Sequence, residues 1–213
     1  TSFWMSAHIL RALKMAQDAG YPVELNLNGL KVEYAHTRPY RGMKLEDIEI
    51  LHALHEWKVE ADYSSAVRLL EPFVRQLEQK EDSLANRNKY YRPLSYLKEK
   101  LLLWEIKQQV DSVNVGDSVR PYLKKDMLEG VYCDDGRRTY YWEGNQMINT
   151  LIAYRIIKND PSLCKLKENM QLYILRTKER GWNTYQASSA VATVLTDLLA
   201  GSGGMSGTSV SVS

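Results

Sequence analysis

Three acidic residues, Asp134, Asp135 and Glu143, flank the aromatic run Tyr140-Tyr141-Trp142. Carboxylates can act as general acid and base and flat rings can stack on sugars, so these residues are the raw material of a glycosidase or polysaccharide lyase site. The same text also reads as a turn. In Asp134-Asp135-Gly136 the carboxylates can accept hydrogen bonds from backbone amides just ahead, while the aromatics cover the end of a helical array. A second constellation is Glu49, His52, His55 and Glu56, whose spacings of three and four place imidazoles and carboxylates on adjacent turns of one helix. The His-Glu-x-x-His pattern is absent, and without a third ligand from elsewhere the group reads as a solvated or half-buried helix face. No metal or cofactor is expected. Cys133 and Cys164 have neither CxxC nor Cys/His spacing, so they hold no structural zinc and build no disulfide framework.

The elements that must position these groups are helical. Ile9, Leu10, Leu13 and Ala16 form a stripe after Trp4, and Gly20 with Tyr21-Pro22 ends it. Leu45, Ile48, Leu51 and Leu54 mark a second helix. Asp62 caps a third that carries Val67, Leu70, Phe73, Val74 and Leu77, with Pro72 inside it. Leu97, Leu101, Trp104 and Ile106 lie in a helix over 95–110. Asn145 caps one with Ile148, Leu151, Ile152 and Ile156. Asp160-Pro161 opens another, and Thr184 starts a last one. One short β-hairpin is expected near 130–142, pairing the residues either side of Asp135-Gly136.

Helices with small or apolar faces centre near residues 8, 51, 101, 151 and 191, at intervals of about 40 to 50 residues, the period of stacked helical hairpins. More charged helices between them would form an outer layer. The expected fold is all-α, either an open solenoid or an α/α toroid of hairpins forming an incomplete ring. Residues 1–200 form the helical domain. The Gly/Ser-rich stretch and the Ser/Val alternation of 201–213 read as a flexible linker or the start of a following β domain. Thr1-Ser2-Phe3-Trp4 runs straight into a helix, as an excised piece would.

The 213 residues are 44% hydrophobic and 25% charged, ordinary for a globular chain with a sizeable core. A formal charge of +2 with both signs interspersed makes nucleic acid a poor partner, and no apolar run is long enough to span a membrane. Fourteen Tyr against two Phe point to half-exposed rings at a rim or domain interface, each with an apolar body and a polar tip.

Trp4-Met5-Ser6-Ala7-His8-Ile9-Leu10-Arg11-Ala12-Leu13, with Ala19-Gly20-Tyr21-Pro22 after it, resembles the thioester-domain region of the α2-macroglobulin and complement family in its bacterial form. Trp182-Asn183-Thr184-Tyr185-Gln186-Ala187 is similar to that family's last inner helix, and 142–154 to the penultimate one, in the same order. The resemblance implies an α/α toroid in a secreted or periplasmic endopeptidase inhibitor, surface-anchored through its parent chain where anchored at all. In such proteins a protease cuts a bait region, the domains rearrange and the protease is trapped. This domain would be a scaffold without catalysis of its own, its partners the other domains of the parent chain and the target protease. The family's reactive thioester needs Gly-Cys-Gly-Glu-Gln, which is absent here, and neither Cys133 nor Cys164 has Gln three residues on. In thioester-bearing relatives a nearby histidine takes up the acyl group. His36 falls in that neighbourhood, in a shortened loop, and reads otherwise as an exposed loop histidine. A carbohydrate-active toroid enzyme using Asp134, Asp135 or Glu143 is the competing reading, and a plain helical-repeat interaction module is the third.

Overall fold

The computed structural model describes residues 3–18, 20–27, 42–139, 146–178, 181–182 and 184–201. Its principal helices are α1 (Phe3–Asp18), α2 (Leu45–Glu56), α3 (Tyr63–Arg87), α4 (Leu97–Val110), the single turn α5 (Gly116–Val119), α6 (Gln146–Ile157), α7 (Cys164–Thr177) and α8 (Thr184–Ala190). A π-helical turn, Val191–Leu195, leads from α8 into α9 (Thr196–Gly201). The strands β1 (Leu123–Lys125) and β2 (Val131–Cys133) pair antiparallel, Lys124 opposite Tyr132. Among the described residues the fold is thus mainly helical with one small hairpin. Among the described residues no helix is long and apolar enough to cross a membrane.

Local chemistry sets the helix ends. Gly20 sits at φ +90°, the left-handed conformation that closes α1, and Tyr21 N–H donates back to the Ala16 carbonyl at 3.0 Å. At the start of α2 the Asp47 carboxylate accepts from Lys44 N–H at 2.8 Å, and Asp62 caps α3 by accepting from Ser65 N–H at 3.0 Å. Pro72 lies inside α3 on its exposed side, where water can serve the carbonyl that the missing N–H leaves unpaired.

Which helices are inner follows from burial. In α6 every residue from Met147 to Tyr154 is buried, and α4 buries residues around most of its circumference. Such helices belong inside. By contrast, only six residues of the 25-residue α3 are buried, on one stripe led by Val67, Leu70 and Val74. The packing order is α1 on α2, α2 on α4, α4 on α6 and α6 on α8, with α3 laid outside α4 and α7 outside α6. The inner helices therefore form an arc at the expected period, with a core that includes Ile48, Leu51, Leu70, Leu101, Ile106, Leu151 and Tyr154.

The hairpin differs from the sequence expectation. β2 holds Val131–Cys133 as foreseen, but its partner is the preceding Leu123–Lys125, and the turn is Asp126–Gly130. Asp126 drives this choice: its side chain accepts from Leu128 N–H and Gly130 N–H at 2.8 and 2.7 Å, and its own N–H donates to the Gly130 carbonyl at 2.8 Å. A Cβ on Gly130 would lie 2.8 Å from that carboxylate, so a larger residue would push aside the side chain that holds the turn. The turn leaves Met127 fully exposed at its tip, and Arg176 of α7 donates to the Leu128 carbonyl at 2.6 Å. Beyond β2, Thr150 of α6 accepts the Cys133 N–H at 2.9 Å, so the hairpin is fastened to an inner helix.

Leu101 is wholly buried on α4, whereas Leu69 on α3 is 57% exposed. Urea unfolding is expected to show Leu101→Ala destabilised by about 2–5 kcal/mol, and Leu69→Ala to stay within about 0.5 kcal/mol of the parent.

Candidate functional site

The densest chemistry in the structure is a buried ionic network strung across four inner helices. On α2, Glu49, His52 and Glu56 follow at steps of three and four, so they stack along one side. α1 contributes Arg11, α4 Lys98 and Glu105, and α6 Arg155. Glu49 takes Arg11 on one oxygen and Lys98 on the other, which ties α2 to both α1 and α4. Glu105 accepts from Arg155 at both oxygens, 2.7 Å each, and meets His52 Nε2 at 2.8 Å. That bidentate fork is the strongest geometry an Arg and a carboxylate can make. Glu56 lies 3.6 Å from His52 Nδ1 and 3.8 Å from Arg11 Nε.

Burial and charge pull these groups in opposite directions. Burial would raise the Glu49 and Glu105 carboxyls. It is outweighed by Arg11 and Lys98 at Glu49, and by Arg155 and His52 at Glu105, so both are held well below the usual carboxylate range. Glu56, half-buried, is brought down to about 2 by His52 and Arg11, against the effect of its partial burial. Burial would lower His52, but the Glu56 and Glu105 carboxylates keep its imidazole above its ordinary value. His55 goes the other way, lowered by burial and by the charge of His52, and packs edge-on against Tyr63 with ring centroids 5.0 Å apart. Glu99, buried on α4, is pushed up to about 7, chiefly by desolvation.

A cavity of about 160 Å³ opens beside this network. Arg11, Lys14, Glu56, Lys98 and Arg155 meet it from the charged side, Leu102, Leu151 and Ile152 from the apolar side, and Ser189, Ala192 and Thr193 from α8 and the π-turn. It is the space at the centre of the arc. Its charged walls are occupied by one another, and the geometry is that of a structural clasp.

The sequence-derived site residues separate into three groups. Glu49, His52, His55 and Glu56 lie together on α2, but the expectation of a solvated or half-buried face fails for the first two: Glu49 and His52 are 5% and 2% exposed. Their partners come from helices 38 to 53 residues distant, which local spacing does not reveal. The two imidazoles do not converge, since His52 engages Glu105 while His55 lies against Tyr63. Asp134 and Asp135 form the turn reading rather than a facing pair. Asp134 accepts from Gly136 N–H at 3.0 Å and from the Gln146 amide at 3.1 Å, and pairs with Lys124 at 3.4 Å. Asp135 accepts from Arg137 N–H at 3.1 Å and the Ser95 hydroxyl at 2.8 Å. His36, Glu143 and the run Tyr140-Tyr141-Trp142 lie outside the described residues. Cys133 is buried and its thiol is pushed up to about 12 by desolvation, while Cys164 is exposed. Neither is a disulfide partner.

Comparison with protein-family models, with curated proteins and with solved structures finds nothing that matches this chain.

Two outcomes follow from the network. Glu105→Gln removes the anion shared by the buried His52 and the partly exposed Arg155 and is expected to cost about 3 kcal/mol in urea unfolding near neutral pH. The pH dependence divides by sign. Glu56, with its pKa lowered from 4.5 to about 2, adds stability that is complete above pH 4.5 and lost as pH falls toward 2. Glu99, raised from 4.5 to about 7, contributes most below pH 4.5 and loses that contribution as pH rises through 7. Glu99→Gln should therefore raise the urea midpoint at pH 8 relative to the parent and change it little at pH 5.

Proposed function

We propose that this chain is a non-catalytic helical scaffold of an α2-macroglobulin-like endopeptidase inhibitor, working outside the cytoplasm, in the extracellular space or the periplasm. The carrying observation is the way its ionisable groups are used. Glu49, Glu105, Arg11, Lys98 and Arg155 clamp inner helix to inner helix, and Asp134 and Asp135 hold a turn. This suits a body that moves as a unit when a neighbouring segment is cut. The arc of hairpins at a period of about 40 to 50 residues supports the same reading, as does the text around Trp4–Leu13 and Trp182–Ala187 that resembles the family's inner helices. In this reading a protease cuts elsewhere in the parent protein and is enclosed by the rearranged domains, and the helical body transmits the change without bond-making chemistry of its own.

The test uses the natural full-length protein with trypsin as the probe protease. Enclosure predicts that hydrolysis of a large protein substrate falls while a small chromogenic peptide is still cut. The inhibitor should show limited cleavage and a shifted sedimentation rate. Degradation at many sites with undiminished digestion of the large substrate would refute the reading. Mass spectrometry before and after methylamine distinguishes the two forms of the inhibitor. A gain of one methylamine marks a covalent trap, and no gain marks a non-covalent one.

A further inference from the structure

The ion pairs of the clasp leave polar groups of the central cavity unsatisfied. Thr193 lines it at 6% exposure, and among the described residues no hydrogen bond engages its hydroxyl. Ser189, one turn earlier, lines the same wall and its hydroxyl is likewise unengaged among the described residues. On α2 the Glu56 Oε2 atom is buried without a hydrogen bond, since His52 Nδ1 and Arg11 Nε stand off at 3.6 and 3.8 Å. Native interiors seldom bury polar atoms unpaired, because their lost hydration is not returned.

The backbone marks the same place. Thr193 sits in the middle of the π-helical turn, which closes with a bond from Thr196 N–H to the Val191 carbonyl. Such turns are rare and recur at functional sites. Beside these groups lie aliphatic side chains, Leu102, Leu151 and Ile152. The cavity of about 160 Å³ has the size of one that admits benzene, roughly 150 Å³. Its charges are already matched: Arg11, Lys98 and Arg155 pair with Glu49 and Glu105, Arg11 also approaches Glu56, and Lys14 pairs with Asp18. A ligand without net charge leaves that balance undisturbed, whereas a lone ion does not.

We infer that this cavity binds a small aliphatic α-amino acid. Its carboxylate accepts from the Thr193 and Ser189 hydroxyls in the field of Arg11, Lys98 and Arg155. Its ammonium donates to Glu56 Oε2, and its side chain lies against Leu102, Leu151 and Ile152. A carboxylate alone would leave Glu56 Oε2 unpaired, and an amine alone would leave the two hydroxyl protons without an acceptor. The zwitterion serves both, and the volume restricts its side chain to a short one. The inference stands on the cavity and is independent of the protease reading.

Calorimetric titration of the natural full-length protein tests it with three probes: valine, isovalerate, which lacks the amine, and isobutylamine, which lacks the carboxylate. Valine is expected to bind saturably with Kd below about 1 mM, and each analogue at least about tenfold more weakly, as the loss of a charge-assisted hydrogen bond requires. Thr193→Val keeps the side-chain shape and should weaken valine about tenfold, with circular dichroism confirming the fold. Leu69→Ala, on the exposed side of α3, should leave binding unchanged. Absence of valine binding to the parent protein would overturn the inference and assign the cavity to water. Isovalerate binding as tightly as valine would also overturn it, since Glu56 would then read no ammonium, as would a Thr193→Val variant that is folded and binds valine as the parent does.

Discussion

The Glu105 carboxylate is the constraint on which the inner layer turns. It joins Arg155 of α6 and His52 of α2 at once, from α4 packed between them. A buried anion is tolerable only when its lone pairs are filled, and here both oxygens receive charged donors. With Glu49 gripping Arg11 and Lys98, the two carboxylates act as pins that set the mutual rotation of four helices. Hydrophobic contact alone would leave these rotations loosely specified, because leucine and isoleucine pack acceptably in several registers. The ion pairs admit one. The net gain of such pairs over an apolar core is small, whereas removing one partner alone leaves the other charge uncompensated.

The outer layer and the hairpin then fit around this fixed interior. α3 adds ladders of its own to α4, with Lys107 reaching Glu71 and Lys100 reaching Glu78 at 3.0 and 3.1 Å. These pairs are partly solvated and worth correspondingly less. Lys100 also accepts no substitute easily: its ammonium donates to the Tyr122 hydroxyl at 2.6 Å and lies 4.8 Å from the centre of that ring. Tyr122 stands directly before β1, so the same lysine locates the hairpin on the inner layer.

Much of this was legible in the sequence, and the reasons are physical. Helices such as α4 and α6 announce themselves because Leu and Ile recur with no break, and Gly20 and Asp62 mark ends through chemistry that acts within a few residues. The hairpin was located but mispaired, since Asp135-Gly136 and Asp126-to-Gly130 are both acceptable turns and only the latter has an aspartate spanning two amides of the loop. The α2 cluster Glu49, His52, His55 and Glu56 reads as a solvated or half-buried face because charged residues normally lie on one. A signal against that reading did exist. Glu49, His52 and Glu56 alternate with Ile48, Ile50, Leu51 and Leu54 around the whole circumference of α2, which leaves that helix no side to give to water. What could not be read was which distant residues answer them.

The tip of the hairpin has a consequence of another kind. Met127 projects into solvent from a turn locked by Asp126 and Arg176, while Met147 and Met170 are sealed in the interior at 5% and 0% exposure. Thioether oxidation follows access to peroxide. The molecule therefore carries its own clock for opening: the exposed sulfur oxidises whether or not the chain is folded, and the sealed pair only when the helices part. The ratio of the two in a single digest measures how often this scaffold breathes.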